Sequence, residues 1–116
     1  MSTNVDGRLG ARAWFVQRCI QVLNYRPSNN NATWERYLKS FFGVSFSVLE
    51  RLNDLLNLQT SIEREHLLWA LHFLKVYNCE TVSARLWKVT EKTYRQYLHP
   101  MIARIGQLEL VRSVFG

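Results

Sequence analysis

The stretch "TSIEREHLLWALHFLKVY", Thr60 to Tyr77, leaves this chain the fewest options. Thr60 and Glu63 stand in capping-box spacing, where each can satisfy a free amide at a helix start. Downstream, Leu67, Leu68, Leu71, Phe73, Leu74 and Tyr77 leave almost no polar face. A helix that is apolar nearly all round has to be enclosed by other elements. The helix from Ile62 to Tyr77 is therefore expected at the centre of the molecule.

The flanking segments repeat the helical period. Ala11, Trp14, Phe15, Cys19, Val22 and Leu23 form one run, which ends where "NYRPSNNNAT" supplies Pro27 and several asparagines. Thr33 is placed to cap a second helix whose apolar face is Trp34, Tyr37, Leu38, Phe41 and Phe42. Gly43 stops that helix, and Ser45 caps a third with Val48, Leu49, Leu52, Leu55 and Leu56 inward. Asn78 ends the central helix and can cap the segment Glu80 to Trp87. Pro100 lacks an amide hydrogen and clashes with the preceding turn, so the helix containing Arg95 is expected to end or kink near Leu98. Met101 to Val114 then restarts as a last helix, with Gly106 as its weak point. No sustained period-two alternation occurs. The expectation is an all-α, compact bundle of six to seven short helices, with a flexible arm over 1–10 and a single helical domain over 11–116.

Composition narrows the function. A chain of 116 residues that is 47% hydrophobic and 13% aromatic can bury a core, which argues against wholesale disorder. No apolar run approaches the roughly 20 residues that span a membrane, so no membrane partner is expected. The start "MSTNVDGRLGARAW" lacks the apolar stretch of a secretory signal, while its arginines leave organelle targeting open. A nuclear or cytoplasmic protein is expected. Cys19 and Cys79 lack C-x-x-C spacing and are read as reduced, buried small residues. His66, His72 and His99 form no ligand pattern with them, so neither a metal nor a cofactor is expected. The net charge of +6, with a pI near 9.8, favours a polyanionic partner.

The stretch "SARLWKVTEKTYRQYL", Ser83 to Leu98, offers a way to engage one. A helix-turn-helix needs a small residue where its helices cross, apolar residues that lock them, and a capped recognition helix. Ala84 suits the small position, Trp87, Val89, Tyr94 and Tyr97 the lock, and Thr90 the cap. Two features depart: Lys88 stands where a turn glycine is commonest, and Ser83 where an apolar residue is usual. With the central helix in support, the unit spans about 62–99. Its outer face would carry Glu91, Lys92, Arg95, Gln96 and His99. Arg95 and Gln96 can present donors to base edges, and Thr90 and Lys92 can hold phosphates, flanked by Arg85 and Lys88. Set against this, Lys92, Arg95 and Gln96 are also what an ordinary solvated helix face looks like. A second helix–turn–helix pattern, "YLKSFFGVSFSVLERL", has the turn glycine, but Lys39 occupies its small position and Glu50 and Asp54 its outer face, so it is read as structural.

"FFGVSFSVLERLNDLL", followed by "HLLWALHFLKVYNCETVSARLWKVTEKTYRQYLHPMIARI", resembles the amino-terminal region of Harbinger-type DDE transposases and related transposase-derived proteins. The resemblance covers roughly Phe41 to Leu110 and rests on the "FFGVS" turn, "LLWALHFLKVY" and "EKTYRQY". It implies a helix-turn-helix domain that binds double-stranded DNA at transposon ends, placed ahead of an RNase H-like catalytic domain. No acidic residue of this chain matches the metal-binding carboxylates of that domain, so the resemblance implies a binding module and not an enzyme. The competing expectation is a protein-interaction or assembly subunit, with a protein partner or a second copy of the chain, whose four tryptophans and Trp14–Phe15 and Phe41–Phe42 pairs supply the aromatic surplus that interfaces use.

Overall fold

Six helices account for the regular structure of the computed structural model, which describes residues 10–24, 31–76 and 79–108. They are α1 (Ala11–Leu23), α2 (Asn31–Phe42), α3 (Phe46–Leu55), α4 (Ser61–Val76), α5 (Glu80–Trp87) and α6 (Glu91–Gly106). Among the described residues there is no strand. No described helix is long and apolar enough to cross a membrane.

The central position expected for α4 is realised. It buries Leu67, Leu68, Trp69, Ala70 and Leu71 and packs against both α2 and α6. Its start is the reciprocal box foreseen: the Glu63 amide donates to Thr60 Oγ1 at 3.2 Å, and the Thr60 amide to Glu63 Oε1 at 3.3 Å. A bond from the Gln59 amide, followed by those from the Thr60 amide and hydroxyl, holds the Glu63 carboxyl below its ordinary value. Ser45 caps α3 by accepting from the Val48 amide at 3.4 Å. Gly43 takes φ +81 just beyond α2, which a side chain would strain, and Lys75 packs over it.

Polar groups also enter the core. Arg64 lies three and four residues before Leu67 and Leu68, hence on their face, and its Nε donates to Asn53 Oδ1 at 3.2 Å in the interior. Arg18 and Glu65 pair α1 to α4 through Nε–Oε1 at 2.7 Å and Nη2–Oε2 at 2.6 Å. His72 donates from Nδ1 to the Phe41 carbonyl at 3.0 Å and stacks on the Phe41 ring at 4.1 Å.

Pro100 does not end α6. The helix runs unbroken to Gly106, so Met101 begins no new helix, and residues 109–114 of the expected last helix lie outside the described residues. Leu98, Met101 and Ile105 lie on one buried face that spans the proline. An interior proline costs about 3 kcal/mol. Burying Met101 and Ile105 returns about 1.5–3 kcal/mol each, which outweighs it. Pro100 is itself exposed, as is Gln96, whose carbonyl loses its intrahelical donor on the solvent side, where water can replace it.

Other expectations fail locally. The second helix begins at Asn31, so Thr33 lies in its first turn and not at its cap. Tyr37, Leu55 and Tyr97, each assigned to an inner face, are exposed at 47%, 46% and 41%. Each lies at the edge of its apolar stripe, where a neighbouring helix is needed for cover. Cys19 is buried, and burial pushes its thiol up to about 12, but Cys79 is exposed at the N-cap position of α5. Pro27, Tyr77 and Asn78 fall outside the described residues.

Burial holds the imidazoles of His66 and His72 below their ordinary value. The unfolded chain therefore takes up protons more readily than the folded one as pH falls through about 6.5. Stability from these groups is whole above that pH and is lost as pH drops towards the folded values. Thermal melts from about pH 7.5 to about pH 5.5 are expected to show a falling midpoint, flattened in a His66→Gln, His72→Gln double variant. A wild-type midpoint that stays constant over that range would contradict this assignment.

Candidate nucleic-acid interface

The α5–α6 junction is built from residues with two separate duties. Ala84, Trp87 and Tyr94 are buried and lock the pair, and Trp69 of α4 lies 5.4 Å from the Tyr94 ring and 6.5 Å from Trp87. Val89 packs at the core margin. Tyr97 is not part of this lock; it stacks on His66 of α4 at 4.4 Å, with the rings nearly parallel. Ser83 is fully buried beside Tyr94, yet neither Ser83 Oγ nor Tyr94 Oη reaches hydrogen-bond geometry with a protein partner. Burial is the larger influence on the Tyr94 phenol and raises it, while the nearby Ser83 hydroxyl acts in the opposite direction.

The connection is tight. Lys88 takes φ 61, the left-handed conformation, and the Val89 amide reaches back to the Ala84 carbonyl at 3.0 Å. A lysine there costs about 1–2 kcal/mol that glycine would not. Thr90 caps α6: its Oγ1 accepts from the Thr93 amide at 3.1 Å, and its hydroxyl donates to Thr93 Oγ1 at 3.0 Å. Thr90 thus has a structural task that occupies its hydroxyl hydrogen.

The seven candidate residues divide by electrostatics. Arg85, Lys88 and Lys92 are exposed and have no carboxylate partner among the described residues. Gln96 is exposed, with its amide uncommitted. Arg95 and His99, by contrast, are held. Arg95 Nε lies 2.8 Å from Glu80 Oε1, and its Nη2 donates to Glu91 Oε1 at 2.9 Å. His99 Nε2 donates to the other Glu80 oxygen at 2.9 Å. Glu80 had no place in the sequence reading, because its partners stand on another helix and no local pattern links them.

Other cations with no ion-pair partner among the described residues, Arg36, Lys39, Arg51 and Lys75, are spread over α2, α3 and α4. Arg12 and Arg18 are matched to Glu50 and Glu65. An open cleft of about 460 Å³ lies beside the junction, lined by Trp14, Arg18, Glu65, His66, Trp69 and Val89 among others. Its charged floor is already committed, since Arg18 also donates to Gln21 and Glu65 accepts from Trp69. Among the described residues, no group of three or more histidines, cysteines or carboxylates could hold a metal ion. The chain matches no protein family, no curated protein and no solved structure.

Proposed function

We propose that this chain is a non-catalytic DNA-binding module of transposase origin, in which α5, the turn and α6 form a helix-turn-helix supported by α4. The observation that carries this reading is the set of unpaired cations at the junction. Arg85, Lys88 and Lys92 fall within eight residues of one another, around a capped helix start, on a domain whose formal charge is +6. Backbone amides at that start and three uncompensated cations suit phosphates, and exposed Gln96 follows one turn further along for base edges. The resemblance to Harbinger-type amino-terminal regions supports the same reading.

The interaction-subunit reading loses its main premise. Trp34, Trp69 and Trp87 are buried, Phe15 and Phe42 are almost fully enclosed, and Trp14 and Phe41 are partly covered by the core. The aromatic surplus that would recommend a partner surface is largely absorbed inside the domain.

Fluorescence anisotropy with a labelled duplex, titrated at several salt concentrations, tests the proposal. Contacts from Arg85, Lys88 and Lys92 to phosphates give a log–log salt slope of about −2.7 or steeper, from about −0.9 per phosphate. Binding that ignores salt, or no binding at low salt, would overturn it.

A further inference from the structure

The two carboxylates around Arg95 make its surface a poor place for a phosphate. Glu80 and Glu91 together outweigh the one guanidinium they contact. Yet the arrangement leaves a defined set of groups facing outward. Arg95 Nη1 enters no hydrogen bond among the described residues, and Nη2 has a second hydrogen. Glu91 uses only Oε1, leaving Oε2 as an open acceptor on an exposed side chain. Two adjacent donors beside one acceptor complement a G·C pair in the major groove. There guanine offers the O6 and N7 acceptors and cytosine the N4 donor.

We propose that α6 selects a G·C base pair, with Arg95 reading guanine, Glu91 reading cytosine, and Glu80 positioning Arg95 from α5. This rests on the DNA-binding reading and adds the sequence preference of the same site. Glu80 matters because a free arginine gives up considerable rotamer freedom when it docks. Held at Nε by Glu80 and at Nη2 by Glu91, the guanidinium has surrendered much of it before DNA arrives. His99, on the second Glu80 oxygen, fixes that carboxylate in turn.

The test is selection from a duplex pool randomised over about two helical turns, roughly 20 bp, followed by affinities for the selected duplex and its G·C-to-A·T derivatives. At one position the wild type is expected to prefer G·C by roughly 10- to 100-fold, the discrimination of a good bidentate pair. Arg95→Ala and Arg95→Lys are both expected to lose that preference while keeping the salt slope, since lysine retains charge but not the fork. Glu80→Gln is expected to reduce the preference severalfold while strengthening binding to unselected duplexes, because a negative charge is removed. Circular dichroism confirms that each variant remains folded. An undiminished preference in Arg95→Ala, or a Glu80→Gln variant that matches wild type in both respects, overturns this inference and leaves the DNA-binding reading standing. Loss of salt-dependent binding in the wild type overturns both.

Discussion

Replacing Arg85, Lys88 and Lys92 together with alanine is expected to weaken duplex binding roughly 10²- to 10³-fold at about 0.1 M salt. Each cation that neutralises a phosphate releases condensed counterions, a contribution close to one factor of ten per contact at that concentration. The same variant should flatten the salt slope by about 2.7, which separates lost phosphate contacts from lost base contacts. All three residues are exposed, and none is in an ion pair among the described residues, so the fold should be preserved. Removal of the α2 cations is a useful control: Arg36→Ala with Lys39→Ala lies on another helix and is expected to change affinity far less. Equal losses in both variants would locate the interface elsewhere or reduce it to net charge.

Leu68→Ala is expected to destabilise the domain by about 3–5 kcal/mol, at the upper end of measured core truncations. Leu68 is fully enclosed on α4, the helix that packs against both α2 and α6. Close packing leaves a cavity that neighbours cannot readily fill, and the cavity adds to the lost transfer energy. A domain of this size has about 5–15 kcal/mol of total stability, so the variant would sit near its unfolding limit at 37 °C. Urea denaturation checks this through the transition midpoint at unchanged slope. A loss under about 1 kcal/mol would mean that α4 is not enclosed as described.

The α5–α6 junction shows how a local pattern can be sound in one respect and silent in another. Thr90 as a cap, Lys88 in the glycine position and the lock of Ala84, Trp87 and Tyr94 were all legible in "SARLWKVTEKTYRQYL". Caps and periodicity act over four residues or fewer, so the chain states them directly. Nothing within that range places Glu80, fifteen and nineteen residues away, against Arg95 and His99. Arg64 is an intermediate case. Its spacing to Leu67 and Leu68 put it on the buried face, but only the approach of α3 supplied Asn53 as its acceptor.

Pro100 marks the same boundary from the other side. The local rule that proline breaks a helix predicts an end near Leu98 that α6 does not show, because the cost is local and the compensation is not. The burial of Met101 and Ile105 depends on α4 and its neighbours being in place. Helix class, the central role of α4, the caps at Ser45, Thr60 and Thr90 and the basic balance follow from residue type and short spacing. Which cations remain uncompensated, which are held by carboxylates and whether α6 survives its proline depend on contacts between helices. Those contacts form only when distant segments share one core, and the free energy that selects among them belongs to the packed assembly of helices.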